Sequence, residues 1–237
     1  MHHLLQVIMQ PQKGRTNHSN SIRKQMMATM LAILLKITYS LSRENMPHIN
    51  VDKNLPGMRS LMAFSPETAT PMGELANLLL RSNEGLSMAD RELIGTYVSY
   101  LNDCFYCQQS HGAIAVCYLD GNIDLVEQVK KDYTQADISD KLKALLSIAG
   151  SVQKGGKFVT TEQIEAAKEL GATDRDIHDT VLIAAAFCMF NRYVDGLASN
   201  TPTDLSSYPL RAQQVAEKGY GNHVFSNKQP VPQNEEM

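Results

Sequence analysis

Two thiols three residues apart, with an imidazole four residues further on, are the part of this sequence best equipped for chemistry. They lie in ELIGTYVSYLNDCFYCQQSH, which runs from Glu92 to His111, as Cys104, Cys107 and His111. On a helix the two sulfurs stand one turn apart, close enough to close a small-ring disulfide and form a reversible redox couple. At a helix N-terminus the first-turn amides and the helix dipole stabilise a thiolate. The spacing therefore predicts a depressed pKa for Cys104, with Asn102 or Asp103 as the cap. His111 shares a helix face with Cys107, placed to take its proton or to stabilise its thiolate. The dipole favours Cys104 as the attacking sulfur and the imidazole favours Cys107, so the sequence leaves that choice open.

Glu92 enters only through a reversal of the chain. On one unbroken helix it would be roughly 18 Å from Cys104 at 1.5 Å per residue. If the chain turns back at Asn102-Asp103, Glu92 and His111 fall at similar heights on two antiparallel helices. The carboxylate can then orient the imidazole, which faces Cys107, giving a proton relay from Glu92 through His111 to the dithiol. Zinc is the rival use of Cys104, Cys107, His111 and Glu92. Structural zinc usually takes two separate ligand pairs, and no second CxxC or HxxxH follows. Gln108 rather than His after Cys107 excludes haem c attachment. No metal and no cofactor is therefore expected. Cys117 and Cys188 stand in apolar helical surroundings and read as inert core thiols. His178 reads as a surface residue, and Arg192 as an interface ion-pair residue, with carboxylate binding as the alternative.

The elements that must position this group read as helices. Pro66 opens one that runs to about Arg81. Ser87 and Asp90 resemble a capping box before Leu93, Ile94, Val98 and Leu101. Ser139 caps a helix ended by Gly155-Gly156, and Thr160 with Gln163 caps another that stops at Gly171. Thr173 with Asp176 starts the last long helix, to about Leu197. Its stretch Val181 to Phe190 is apolar all round, as in a helix buried in a core or between subunits. The one strand candidate, Phe158 to Thr161, is short and ends in a cap. The fold class is therefore all-α, a helical bundle, and the apolar last helix points to a homo-oligomer.

Composition agrees. The chain has 237 residues, 43% apolar and 20% charged, enough for one substantial core. A net charge of -3 gives no strong basic field for nucleic acid or anionic lipid. Four Cys are too few for a stapled secreted scaffold. Residues 1–45 read as a leader or extension, with a short apolar run from Met26 to Leu35. That run is too short to span a bilayer, and it is either part of an export signal or part of a poorly ordered extension. Residues 46–205 read as the helical domain and 206–237 as an extension ending in a flexible tail. A cycling dithiol suits a reducing cytoplasm.

With Glu92, Cys104, Cys107 and His111 at these spacings, the chain resembles the carboxymuconolactone decarboxylase superfamily. More closely it resembles the alkylhydroperoxidase D-like, peroxidase-related branch, whose signature is Glu, eleven residues, CxxC, three residues and His. The likeness extends over MRSLMAFSPETATPMGELANLLLRSNEGLSMADRELIGTYVSYLNDCFYCQQSHGAIA and AFCMFNRYVDGLA, about Ile49 to Asp204. It implies an all-helical subunit in trimers or hexamers. It also implies a dithiol that cycles through a disulfide while reducing hydroperoxides, as an antioxidant, or while passing electrons to a redox protein such as a peroxiredoxin. Some members carry a His just before the second Cys, where this chain has Tyr106, a poorer proton carrier and a candidate pocket residue. Two other readings remain. One is a non-catalytic, redox-responsive oligomeric module. The other is a lactone decarboxylase-type enzyme using Glu92 and His111, although the lactone-decarboxylating branch lacks the dithiol.

Overall fold

The computed structural model describes residues 46–220, so the readings of residues 1–45 and of the tail from Ser226 lie outside the described residues. Within them the protein is all-α. Nine helices follow one another: α1 Met58–Phe64, α2 Pro66–Leu80, α3 Met88–Leu101, α4 Phe105–Tyr118, α5 Ile123–Asp132, α6 Asp140–Lys154, α7 Thr161–Glu169, α8 Asp174–Gly196 and α9 Pro209–Lys218. The strand candidate is instead a 3-10 turn, Gly156–Phe158, leading into the cap at Thr160.

The helix boundaries follow from side chains that satisfy first-turn amides. The hydroxyls of Ser87 and Ser139 accept from the amides of Asp90 and Leu142. Thr160 with Gln163, and Thr173 with Asp176, form reciprocal capping boxes. Pro66 opens α2, where its missing N–H costs nothing.

The centre of the fold is the α3–α4 hairpin, across which α8 and α6 pack. Its turn is a Schellman motif. The Asp103 amide bonds the Tyr100 carbonyl and the Cys104 amide bonds the Ser99 carbonyl, both at 3.0 Å. Asp103 takes the left-handed conformation, φ 57°, where glycine is usual. A polar ladder holds the turn to the rest of the bundle. Gln153 Nε2 donates to Asn102 Oδ1, Asn102 Nδ2 to Asn191 Oδ1, and Asn191 Nδ2 to the Ser99 hydroxyl, at 2.9, 2.8 and 3.0 Å. Asn102 thus closes α3, and Cys104 itself occupies the N-cap position of α4, one or two residues later than the sequence suggests.

Leu93, Ile94, Val98, Leu145, Leu146, Ile148, Ile183 and Phe187 form one buried core. Arg91 is wholly buried within it. Its guanidinium donates to the carbonyls of Leu79, Glu84 and Leu86 and to Asp179 Oδ2, fastening the α2–α3 loop to α8. On α8, Ile183, Phe187 and Phe190 turn inward, while Leu182 and Met189 stay open on this single chain. Cys188 is half-buried and Cys117 is exposed. The sequence places Cys117 in the core, but it faces outward on α4, against its own carbonyl ladder at Ala113.

At Gly95 the Phe187 ring of α8 packs directly on the α3 backbone. A Cβ built on this glycine would stand 2.3 Å from the Phe187 ring. Alanine would gain up to about 1 kcal/mol in helix propensity. Overpacking costs about 1–3 kcal/mol, and the ring is backed by the His111 imidazole and the Phe190 ring, 4.6 and 6.0 Å away between centroids. Gly95→Ala should therefore lower the thermal midpoint in a melt followed by circular dichroism. A midpoint equal to or above that of the native protein would contradict this packing.

Candidate functional site: a dithiol beside a buried Glu–His–Tyr group

The hairpin brings together the side chains that the sequence spaces nineteen positions apart. Glu92, on α3, is 0% exposed, and its Oε2 lies 2.8 Å from His111 Nδ1 on α4. The carboxylate's other oxygen, Oε1, accepts from the Tyr220 hydroxyl at 2.6 Å. That hydroxyl also stands 3.1 Å from His111 Nδ1. The Tyr220 and His111 rings are stacked, 5.8 Å apart and 20° from parallel, while Phe187 meets the imidazole edge-on. Both carboxylate oxygens are thus occupied. With Nδ1–H donated to Glu92, Nε2 carries the free lone pair, and it has no hydrogen-bond partner among the described residues.

Tyr220 is the member of this group that sequence reasoning misses. It lies just past α9, in a stretch without any motif. Burial and the adjacent Glu92 carboxylate hold its hydroxyl far above the usual phenol range, so it stays protonated and donates. Several contacts bring it here. Asn77 Oδ1 accepts its amide at 2.7 Å. Arg81 donates to the Val215 and Ala216 carbonyls, both at 2.9 Å, and to the Tyr118 hydroxyl, closing the C-terminus of α9. Gly219, φ 80°, passes so near that a Cβ would stand 2.7 Å from Asn77 Oδ1.

Cys104 and Cys107 are free thiols packed together with Val194, Met58 and Tyr106. Their surroundings differ. Cys107 lines a cavity of about 170 Å³, whose wall it shares with His111, Ser110, Tyr106 and Tyr220. Cys104 is not part of that wall and is 0% exposed. The expected depression of its pKa is reversed. The hydrogen bond with Cys107 and burial push the Cys104 thiol up, and the Cys107 amide at the helix mouth opposes this without cancelling it. A helix dipole of half a charge cannot offset removal from water next to a second sulfur. Asp195 also faces Cys104, and its own carboxyl is raised by burial.

Tyr106 lies in the cavity wall as a pocket residue, with its phenol pushed up to about 12 by burial and by Cys107. Its ring fills the space over Gly57, where a Cβ would stand 2.3 Å away. His178 is exposed, as expected, and bonds the neighbouring Asp179. Arg192 is exposed and returns to the Cys188 carbonyl of its own helix. Among the described residues no cluster of three or more His, Cys, Asp or Glu side chains is placed to hold a metal ion.

Residues 66–116, which span Glu92, both thiols and His111, match the model of the Carboxymuconolactone decarboxylase family. Over that stretch the helical domain is similar to this family. The chain is similar to the alkylhydroperoxidase AhpD core of an uncharacterized peroxidase-related protein from Ralstonia eutropha JMP134. The two share 29% identity at a TM-score of 0.59, over 64% of this chain and 79% of that one. It is also similar to an uncharacterized peroxidase-related protein from Silicibacter sp. TM1040, at 28% identity and a TM-score of 0.59, over 65% of this chain and 78% of that one. No protein with a curated description matches. Among the described residues no helix is long and apolar enough to cross a membrane.

The unequal thiols make a direct prediction. Each unit of raised pKa removes about tenfold of the thiolate that alkylating reagents need. With limiting iodoacetamide near neutral pH, peptide mapping should find Cys107 modified at least about tenfold faster than Cys104. Modification of Cys104 first would overturn the assignment.

Proposed function

We propose that the protein is a thiol-dependent peroxidase of the alkylhydroperoxidase type, with Cys107 as the attacking sulfur and Cys104 as the resolving one. The observation that carries this reading is the shared cavity wall of Cys107 and His111, with the imidazole held from behind by a buried Glu92. The peroxidase-related neighbours support the reaction class.

Each group has a defined task. His111 Nε2 takes the Cys107 proton, while Glu92 and the Tyr220 hydroxyl hold the ring and balance the charge it gains. The thiolate attacks the terminal oxygen of a hydroperoxide. The O–O bond breaks, Cys107 becomes a sulfenic acid, and the departing alkoxide takes the proton held on His111 to leave as an alcohol. The Cys104 thiol then attacks the Cys107 sulfur. The S–O bond breaks, the sulfenic hydroxyl leaves with the Cys104 proton as water, and the disulfide closes. An external dithiol or redox protein supplies the two electrons and two protons that reopen it. Tyr106 borders the cavity and, with a raised phenol pKa, carries no proton in this scheme.

Hydroperoxide consumption with a dithiol reductant tests the scheme. Cys107→Ser should abolish reaction altogether. In the absence of reductant, Cys104→Ser should reduce one equivalent of peroxide, leave a sulfenic acid and stop. Tyr220→Phe removes one hydrogen bond from the carboxylate, worth about 0.5–1.5 kcal/mol, and should slow turnover about two- to tenfold. Equal rates in native protein, Cys107→Ser and Glu92→Gln would remove the proposal.

A further inference from the structure

The cavity beside Cys107 has two properties that thiol chemistry alone does not require, its size and its charge. Its wall is largely apolar and includes Met58, Met62 and Met72. Methionine adapts its shape to a guest better than branched side chains do. An apolar cavity of about 150 Å³ takes a benzene-sized molecule. At about 170 Å³ this one matches an aryl or compact alkyl body, far more than hydrogen peroxide needs.

Two arginines complete the wall, Arg59 from α1 and Arg211 from α9. Among the described residues neither forms an ion pair with a carboxylate. The Arg59 Nε–H is buried without an acceptor, which costs a donor its hydration and returns nothing. Arg211 has one long side-chain bond, 3.3 Å to Gln214. Burial and the charge of Arg59 push Arg211 below the usual guanidinium range, so the two cations feel each other. Arg211 also stands in the first turn of α9, the end at which a helix favours anions over cations. Two like charges in one cavity wall, one with an unused buried donor, fit a planar anion.

We propose that this cavity binds a small organic hydroperoxide bearing a carboxylate, its apolar body among the methionines and its carboxylate at Arg59 and Arg211. The hydroperoxide part rests on the peroxidase reading above, and the anion-plus-apolar-body site stands apart from it. Such a molecule would meet the arginines with its carboxylate while its body lies in the same cavity that Cys107 and His111 line. A pocket of this kind, mostly apolar with a few convergent polar groups, selects by shape and by one charged contact.

Calorimetric titration with two redox-inert probes tests the site. Para-isopropylbenzoate should bind about ten- to a hundredfold more tightly than the neutral para-isopropylbenzamide. The Arg59→Gln/Arg211→Gln double variant should erase that difference, and Arg59→Lys/Arg211→Lys should keep part of it. Circular dichroism reports whether the variants fold, and the benzoate–benzamide comparison on the native protein decides without them. Equal binding of the two probes, or binding of neither, overturns the inference. Turnover of cumene hydroperoxide is measured alongside. If it proceeds while the benzoate does not bind, this inference fails and the peroxidase reading stands. If the benzoate binds and no hydroperoxide is consumed, the anion site stands and the peroxide assignment falls with the peroxidase reading.

Discussion

Everything at this site depends on keeping a carboxylate out of water. Glu92 is wholly buried, and an unpaired carboxylate there would cost several kcal/mol. Two donors prevent that cost, His111 Nδ1 on one oxygen and the Tyr220 hydroxyl on the other. The same two bonds fix the orientation of the imidazole. An Nδ1–H donated to Glu92 leaves Nε2 free to face the cavity, and the Tyr220 phenol, held far above its usual range, stays protonated as the second donor. Orientation of the imidazole is then a consequence of satisfying a buried acid. Phe187 completes it, because the ring that needs Gly95 to be a glycine also fixes the imidazole edge-on.

The two cysteines are close in sequence and unequal in environment. Both sit at the mouth of α4, where the dipole would favour a thiolate at Cys104. Burial and the adjoining sulfur reverse that preference. Both thiols are buried, but Cys104 lies away from the cavity wall with its ionisation disfavoured, while Cys107 lines the cavity. That division suits a couple in which one sulfur meets the oxidant and the other supplies both an electron pair and a proton afterwards. Local helix physics and global burial point in opposite directions here, and the desolvation of a whole thiol outweighs a fraction of a charge.

Much of the fold is legible in the sequence because it is written in local rules. Ser139, the Thr160–Gln163 and Thr173–Asp176 pairs, and Gly155 and Gly171 mark helix ends through bonds only a few residues long. The reversal that pairs Glu92 with His111 follows from counting residues on either side of Asn102-Asp103. Other features depend on distant contacts. Tyr220 has no motif of its own and is placed by Asn77 and Arg81, well over a hundred positions earlier. The outward face of Cys117 depends on which side of α4 its neighbours cover, a choice that an apolar local composition does not record. The cap at Cys104 is shifted because Asp103 accepts the left-handed turn that closes α3.

The final helix links the buried acid to the cavity. α9 and the turn before it supply Tyr208, Arg211, Ala212 and Val215 to the cavity wall, and the residues just past α9 supply the hydroxyl that stabilises Glu92. Arg81 holds both, since its guanidinium ties the α9 carbonyls to Tyr118 on α4. Loosening α9 would therefore enlarge the cavity and expose the carboxylate in one step. A single clamp, Asn77 with Arg81, thus holds both the cavity wall and the hydroxyl placed on Glu92. The cavity and the buried Glu–His–Tyr group are coupled through one short helix whose own sequence carries none of the motif.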